Sequence, residues 1–265
     1  MIGVLVNGAG GKMGKEVVKA VLQDPELQLV AAVDPSKKGE DVGEIAGVGS
    51  LNLPMLGSLE EGLAVAEVTV VVDFTSPAVI FESAKKVIAA GKHIVIGTTG
   101  LTAEQREELH QLALDKGANA LVAPNFSLGA VMMMKVSSEL AAYFPNVEVI
   151  ELHHNHKYDA PSGTSILTAK LIADARKRAQ VVPAEDLTKE SLPGARGAKV
   201  EDVTIHSVRL PGYVAHQEVL FGGFGETLTI RHDSLSRESF MPGVILACKK
   251  IASFPGLTYG LEYYL

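Results

Sequence analysis

The sequence predicts an α/β protein with a doubly wound parallel sheet in its first half and a second domain of mixed α and β structure. Strand-like and helix-like segments alternate up to about Asn125, a pattern typical of a parallel sheet covered by helices. A glycine-rich run follows the first strand-like segment. Beyond Asn125 strand-like segments follow one another across short turns, which indicates an antiparallel or mixed sheet.

Five strands and four helices are predicted in the first half. The strands are short and rich in β-branched residues: Ile2–Val6, Gln28–Val33, Val68–Phe74, His93–Ile96 and Leu121–Ala123. The helices are marked by apolar spacing and by cap residues: Lys12–Gln23, a short helix capped by Ser58, one that Ser76 caps and Pro77 begins, and one from Thr102 to Gly117. Right-handed crossovers between parallel strands would bring the strand carboxyl ends, and any ligand, to one edge.

The second half is predicted to contain fewer helices and more closely spaced strands. The helices are Leu128–Ala142, about Gly163–Ala179 and Gly243–Ala252, and the strands are Val147–Leu152, Val203–Arg209, Ala215–Phe221 and Glu226–Arg231. Between them, Pro183–Lys199 has little periodicity and is predicted to be a long loop. This half therefore favours an α+β domain with a mixed sheet.

Composition excludes several function classes. A formal net charge of −7 argues against nucleic-acid binding, which needs a basic face. No apolar run approaches the roughly 20 residues that span a bilayer, so no membrane partner is expected. Cys248 is the single cysteine and is expected in the core; a chain without an intrachain disulfide fits a reducing compartment, and we expect a cytoplasmic protein.

The glycine-rich run indicates a dinucleotide site of the Rossmann type. It reads Gly8-Ala9-Gly10-Gly11-Lys12-Met13-Gly14, and it lies between the first strand and the first helix. Glycines there allow a tight turn and let backbone N–H groups approach a pyrophosphate at the helix N-terminus. A glycine turn without a ligand is the alternative, which the context disfavours because a carboxylate follows at the end of the second strand.

That carboxylate is Asp34, which we expect to bond the adenosine ribose hydroxyls. A carboxylate at this point repels a 2′-phosphate and favours NADH. Lys12, Lys37 and Lys38 lie close in sequence and could neutralise the same phosphate. The predicted cofactor is therefore NADH, NADPH or both.

Two further loops follow strands of the same sheet. Gly97-Thr98-Thr99-Gly100 comes after the fourth strand, and Ala123-Pro124-Asn125-Phe126 comes after the fifth. Their shared place at the ligand edge predicts contacts with the nicotinamide ribose and carboxamide. Ordinary turn chemistry is the alternative for each loop taken alone.

The stretch from His153 to Thr164 carries the most chemistry. Three of the eight histidines, His153, His154 and His156, fall within four positions at the end of a strand, and Lys157 follows. Ser162-Gly163-Thr164 then begins a helix whose first amides point outward. Charge, proton donors and amides together predict a site for an anion such as a dicarboxylate. A solvated polar loop is one alternative; a metal site is another, but no third ligand is evident and a lysine repels cations, so no metal is predicted.

The same stretch resembles the motif of the dihydrodipicolinate reductase family, which is also called the 4-hydroxy-tetrahydrodipicolinate reductase family. The matching pattern is Glu148…Glu151-x-His153-x-x-x-Lys157-x-Asp159-x-Pro161-Ser162-Gly163-Thr164. Further segments that match the family are Gly8–Gly14, Asp73-Phe74-Thr75, Gly97–Gly100, Ala123–Phe126 and the region of His232, Arg237 and Phe240. The departures are Ser165 in place of a common alanine, and Asn155 and Lys12 in place of a frequent arginine.

The resemblance implies NAD(P)H-dependent reduction of a cyclic dicarboxylate in diaminopimelate and lysine biosynthesis. It implies that His153 is the proton donor and acceptor, that Lys157 is a proton donor, and that His154, Lys157, Gly163 and Thr164 hold the substrate. It places the cofactor on the glycine run, on Asp34 and on the two strand-end loops. It further implies a dinucleotide-binding domain of residues 1–126 and 234–265, with residues 127–233 inserted for substrate binding and homotetramer formation.

Two other functions remain compatible with the residues alone. One is another amino-acid-pathway dehydrogenase of similar architecture, such as an aspartate or homoserine type. The other is a non-catalytic NAD-binding redox sensor, which would bind cofactor without turnover. The proton donors between His153 and Lys157 count against a sensor, because a sensor needs none opposite the nicotinamide.

Overall fold

The computed structural model describes residues 1–265, which form two compact units. The first unit comprises Met1–Ser127 and Arg237–Leu265, and the second comprises Leu128–Ser236. The predicted fold class, a Rossmann-type parallel sheet followed by an α+β unit with a mixed sheet, is confirmed. None of the helices is long and apolar enough to cross a membrane.

The first unit contains a six-stranded parallel sheet in the order β11-β5-β4-β3-β1-β2. Its strands are β1 (Ile2–Asn7), β2 (Leu27–Val33), β3 (Val70–Asp73), β4 (His93–Ile96), β5 (Ala120–Val122) and β11 (Leu257–Tyr259). Its α-helices are α1 (Lys12–Gln23), α2 (Val42–Ala46), α3 (Leu59–Leu63), α4 (Ile80–Ala89), α5 (Ala103–Lys116) and α8 (Met241–Lys250). The central strands are apolar because helices cover the sheet; β3, for example, is buried at every position.

Two helices of this unit begin elsewhere than the sequence predicts. Ser76 does not cap α4: its carbonyl accepts bonds from the amides of Val79 and Ile80, which closes a turn before the helix starts. At the other end of the chain, α8 begins at Met241, two residues before the predicted start, with Pro242 in its first turn. The predicted capping box at Thr102 and Gln105 is present.

The second unit contains a five-stranded mixed sheet in the order β10-β9-β6-β8-β7. Its strands are β6 (Asn146–His153), β7 (Ala198–Val200), β8 (Val203–Arg209), β9 (Ala215–Gly223) and β10 (Glu226–Ser234). Only β6 and β8 pair in parallel. The helices α6 (Leu128–Leu140) and α7 (Gly163–Ala179) cover one face, where side chains such as Val149, Ile172 and Phe221 form the core.

The structure contains short elements that the sequence did not indicate. Residues 198–200 form β7 at the edge of the second sheet, although the predicted loop includes most of them. Residues 257–259 form β11 beside β5, where only a tail was expected. Both are three-residue edge strands, and so short a segment carries no readable periodicity.

Candidate active site

The glycine run of the first unit forms the turn between β1 and α1, and its geometry leaves no room for side chains. Gly8 has a φ of +83°, and a Cβ atom there would lie 2.5 Å from the carbonyl oxygen of Phe74. A Cβ atom on Gly14 would lie 2.1 Å from the carbonyl oxygen of Gly8. No side chain caps α1, whose N-cap residue is Gly11. A tight, glycine-rich turn before an uncapped helix N-terminus fits a dinucleotide pyrophosphate.

Asp34 directly follows β2 and reaches back to this turn. One carboxylate oxygen accepts a hydrogen bond from the Gly10 amide at 3.0 Å, and the other accepts from the amide and hydroxyl of Ser36 at 3.0 and 2.7 Å. The structure therefore brings Asp34 and the glycine run together. The neighbouring Lys37 and Lys38 pair with Glu40 and Glu61 at 3.2 and 2.9 Å, through side chains that are largely exposed.

A fully buried carboxylate lies at the end of β3, between the glycine run and the loop after β4. Asp73 accepts hydrogen bonds from Asn7 Nδ2 at 2.7 Å, Thr75 Oγ1 at 2.8 Å and Thr98 Oγ1 at 2.8 Å. These bonds join the carboxyl ends of β1, β3 and β4. Asp73 was not among the predicted site residues, although an acid ending the apolar run of β3 is a signal that could have indicated it.

The two strand-end loops of this unit are packed through aromatic rings. A Cβ atom on Gly97 would lie 2.1 Å from the ring of Phe74, so only glycine fits there. The rings of Phe74 and Phe126 lie 5.9 Å apart between centroids. In the loop after β5, the side chain of Asn125 accepts a hydrogen bond from the Ser127 amide at 2.8 Å. These contacts fix the backbone of both loops at the carboxyl edge of the sheet.

In the second unit, the predicted histidine–lysine loop begins where β6 ends. His153 is the last residue of β6, and its Nδ1 atom is hydrogen-bonded to the buried carboxylate of Glu151. Lys157 is partly buried, and its Nζ donates to Asp159 Oδ1 at 2.7 Å. This bond, together with smaller contributions that include one from the Gly163 amide, lowers the pKa of Asp159. The Asp159 carboxylate thus contacts the same lysine and amide that are predicted to bind substrate.

The first turn of α7 presents open backbone at Gly163. Ser162 is the N-cap: its hydroxyl accepts from the Ser165 amide at 3.2 Å and contacts the Ser165 hydroxyl at 3.0 Å. No atom lies within 4 Å of the position that a Cβ atom on Gly163 would take, so the Gly163 backbone borders open space. Thr164 is the next residue of this turn. An approachable helix N-terminus beside a lysine suits a carboxylate.

The remaining histidines of the loop are exposed. His154 Nδ1 accepts a hydrogen bond from the His156 amide at 3.2 Å, and the two rings lie 6.2 Å apart between centroids.

Nowhere in the chain do three or more His, Cys, Asp or Glu side chains form a group that could hold a metal ion.

The buried carboxylate of Glu151 is bound from three directions. Arg209 on β8 donates to both of its oxygens at 2.8 Å, His153 donates to one, and the Ser162 amide donates at 3.2 Å. Burial alone raises the pKa of Glu151, but the bonds from His153, Arg209 and Ser207 outweigh it and lower the pKa to about 2. Glu151 and Arg209 were not predicted as site residues.

Known proteins match this chain over both of its halves. The family model for the N-terminus of dihydrodipicolinate reductase matches residues 2–126, and the model for its C-terminus matches residues 129–265. A 4-hydroxy-tetrahydrodipicolinate reductase of Dictyoglomus turgidum is 47% identical over 265 residues, which cover 100% of this chain and 98% of that one. The Listeria monocytogenes serotype 4b protein of the same name is 49% identical over 262 residues, covering 99% of each chain.

A solved structure shows the same architecture. Dihydrodipicolinate reductase from Paenisporosarcina sp. TG-14 with dipicolinate bound superposes with a TM-score of 0.88 at 42% identity, and 100% of each chain is covered. At 42% identity over the full length, the two proteins share their sequence as well as their fold.

Proposed function

This chain belongs to the dihydrodipicolinate reductase family, and we propose that His153 and Lys157 carry the proton transfers of its reaction. The reaction is the NAD(P)H-dependent reduction of 4-hydroxy-tetrahydrodipicolinate to tetrahydrodipicolinate in diaminopimelate and lysine biosynthesis. NADH or NADPH, when bound, supplies the hydride for ring C4 of the dehydrated substrate. The observation that supports the proposal is the juxtaposition of His153, Lys157 and the open N-terminus of α7 on one loop.

His153 and Lys157 are the proton carriers in this proposal. Addition of a hydride to the ring leaves carbanion-like charge on the substrate, and an acid must quench it with a proton. His153 Nε2 is suited to this step because Nδ1 is already bonded to Glu151. Lys157 Nζ is a second donor, with three N–H bonds and only Asp159 as its side-chain partner. General acid catalysis of this kind contributes roughly 10²–10⁴-fold to a rate.

Substrate binding is proposed for His154, Lys157, Gly163 and Thr164. Dipicolinate, the ligand of the solved relative, is a planar ring with two carboxylates. Lys157 offers a positive charge, and the Gly163 backbone at the start of α7 borders open space. A substrate carboxylate bound there replaces Asp159 as the partner of Lys157, so substrate binding frees the Asp159 side chain.

Cofactor binding is proposed for the carboxyl edge of the first sheet. Gly8–Met13 would hold the pyrophosphate and Asp34 the adenosine ribose, because the turn is rich in glycine and Asp34 reaches it. The loops Gly97–Thr99 and Ala123–Phe126 would hold the nicotinamide end. The buried bonds of Asp73 to Thr98 and Asn7 support this assignment, since they fix the backbone on which those contacts depend.

The two units take separate roles in this proposal. Residues 1–126 and 234–265 bind the dinucleotide, and residues 127–233 bind the substrate and assemble a homotetramer. The face of the second sheet opposite α6 and α7 supports assembly, because its side chains, among them Ile150 and Leu220, line an open groove. A cytoplasmic location is proposed as well, since Cys248 is a free, buried thiol that fits a reducing compartment.

Turnover with substrate generated in situ tests the proposal. The preceding synthase condenses pyruvate with aspartate semialdehyde, and the loss of reduced-nicotinamide absorbance reports reduction of its product. We expect His153→Ala and Lys157→Ala to lose turnover while their dissociation constants for NADH stay within twofold of the parent, because both residues lie in the second unit. Retained turnover at saturating NADH in either variant would refute that residue's role. Cofactor binding without any turnover of the parent protein would instead indicate the redox-sensor function.

A further inference from the structure

Glu151, the buried carboxylate two residues before His153, has no role in the reaction as described so far. Its side chain is fully buried on the helix-covered face of the second sheet, at the same face as His153. Burying a carboxylate costs several kcal/mol unless hydrogen bonds and charge compensate for the lost water. Such a group on a strand face that otherwise places Val147 and Val149 in the core needs an explanation beyond packing.

The partners of Glu151 make it a permanent anion. Arg209 binds both carboxylate oxygens, so the pair has the bidentate geometry of the strongest ion pairs. With a pKa lowered to about 2, against the cost of burial, Glu151 is ionised at any working pH. An ionised carboxylate only accepts hydrogen bonds, and therefore His153 Nδ1 is the donor in their short contact.

This contact fixes which nitrogen of His153 performs chemistry. With Nδ1–H bonded to Glu151, Nε2 is the nitrogen that exchanges a proton. Because Arg209 binds both oxygens, the carboxylate competes weakly for the His153 proton, which stays on the ring until the substrate takes it.

The same ion pair holds the loop that carries the anion-binding residues. Arg209 Nη2 donates to the carbonyl oxygen of Asp159 at 2.7 Å, and Glu151 accepts from the Ser162 amide at 3.2 Å. The two contacts attach both ends of the segment 159–162, which leads directly into α7. One buried ion pair therefore sets the position of His153 and of the Gly163 backbone together.

We propose that Glu151 and Arg209 are positioning residues for the reduction: Glu151 orients the His153 imidazole, and Arg209 keeps Glu151 available for that task. The inference rests on the proposed role of His153. Neither residue needs to touch the substrate, since both act through His153 and through the loop that precedes α7.

The chain offers a matched control on the opposite face of the same strand. Glu148 also joins a histidine and an arginine, through His206 Nε2 at 2.7 Å and a contact to Arg196. This second cluster is partly exposed and lies away from the loop after His153; because it lines the groove with Ile150 and Leu220, molecular mass is measured beside activity. A Glu148→Gln variant thus removes a carboxylate with the same kinds of partner but without the predicted link to catalysis.

The experiment measures kcat at saturating NADH for Glu151→Gln, for Glu148→Gln and for Glu151→Gln combined with His153→Ala. We expect Glu151→Gln to lower kcat by about 10- to 100-fold, part of the 10²–10⁴-fold that a general acid contributes. Glu148→Gln should stay within twofold of the parent at equal molecular mass by light scattering. Adding Glu151→Gln to His153→Ala should lower kcat less than twofold further, because the effect of Glu151 on kcat depends on the imidazole, whereas its bond to the Ser162 amide affects the KM for the dicarboxylate.

A conservative variant separates positioning from a general loss of structure. Glu151→Asp keeps a carboxylate that can accept from His153 Nδ1, so it should recover part of the kcat that Glu151→Gln loses. The other charged groups around this site, Arg209 on β8 and Lys157 and Asp159 in the loop, remain in the variant. On β9, Ala215 and Gln217 pair with His153 and Glu151, and both are uncharged.

The outcomes distinguish the positioning role of Glu151 from the proposed catalytic role of His153. If His153→Ala is inactive and Glu151→Gln keeps the parent kcat, the positioning role is wrong and the role of His153 stands. Full activity of His153→Ala overturns the proposed function itself. Independent, multiplicative losses from Glu151→Gln and His153→Ala also contradict the positioning role. If Glu151→Gln does not keep the parent's molecular mass and thermal midpoint, Glu151→Gln with Arg209→Met, which buries no unpaired charge, takes its place with the same expected results.

Discussion

Asp34 is the residue through which the cofactor preference can be tested most directly. It accepts hydrogen bonds from the amide and hydroxyl of Ser36 and from the Gly10 amide, which belongs to the turn that would hold the pyrophosphate. Replacing it with alanine removes the carboxylate proposed to bind the adenosine ribose. A hydrogen bond to a charged group is worth about 1.5–3 kcal/mol, so one lost ribose contact weakens NADH binding by roughly 10- to 150-fold.

NADPH should respond differently to the same change. Its 2′-phosphate meets the negative charge of Asp34, and removing that charge relieves repulsion while the ribose contact is lost. We therefore expect Asp34→Ala to change the ratio of the NADH to NADPH dissociation constants by at least about tenfold in favour of NADPH. The side chain of Asp34 also caps the turn at Ser36, a contact worth about 0.5–2 kcal/mol. Losing this cap should weaken the binding of NADH and NADPH equally, so it does not change the ratio of their dissociation constants.

The assay has to avoid protein fluorescence, because the chain contains no tryptophan. Calorimetric titration of each cofactor gives both dissociation constants on one sample. Asp34→Asn is the matched control: it keeps a cap oxygen for Ser36 and removes only the charge, so it should shift the ratio while NADH loses less affinity than in Asp34→Ala. Equal weakening of NADH and NADPH in both variants would place Asp34 away from the ribose.

Three further predictions follow from contacts in the structure. Asp159→Asn should lower the KM for the dicarboxylate by about 2- to 5-fold, because Lys157 then has no competing carboxylate in its exposed pair, and an unchanged KM would contradict this competition. Gly14→Ala should lower the thermal midpoint by several degrees and weaken NADH, since its Cβ would lie 2.1 Å from a backbone oxygen, whereas Gly222→Ala meets only ordinary contacts at 3.6 Å and should do neither. The pKa of Glu151 is lowered to about 2 in the folded chain, against 4.5 in the unfolded chain. Its ionised form therefore stabilises the fold fully above pH 4.5, and this stabilisation is lost as the pH falls from 4.5 towards 2. Glu151→Gln should flatten the pH dependence of the urea midpoint between these two values.

The sequence allowed the main architecture to be predicted because its longer elements carry strong periodicity. The strands of the parallel sheet are apolar runs bounded by turn residues, and α1 repeats its valines at helical spacing. The elements that escaped are short, such as β7, β11 and α2, at three to five residues each. β7 and β11 form because a neighbouring strand pairs with them, and α2 forms beside the cap residue Asp41, whose carboxylate accepts from four amides. These partners cannot be identified from sequence spacing alone.

The candidate site was predicted in its outward-facing parts and missed in its buried ones. Gly8–Gly14, His153 and Lys157 stand at element ends with residue types that suggest a ligand, which sequence spacing reveals. Arg209 lies 58 positions after Glu151, and Thr98 lies 25 after Asp73, so these bonds follow only from the order of strands in each sheet. The order of strands in a sheet is a property of the tertiary structure. The residues that the sequence did not indicate are the ones whose partners depend on that order.

Both missed carboxylates occupy equivalent places in their own units, and the likeness has a physical cause. Asp73 ends β3, and Glu151 lies two residues before the end of β6; each is fully buried next to a loop that carries proposed ligand contacts. A buried acid must be saturated with donors, and here some of those donors belong to the adjoining loops: Thr75 and Thr98 for Asp73, and the Ser162 amide for Glu151. Displacing such a loop would leave the buried carboxylate short of a donor, so the cost of burial favours one loop geometry. An acidic residue on the buried face of a strand, near its carboxyl end, is therefore a sequence signal for the backbone that holds a ligand.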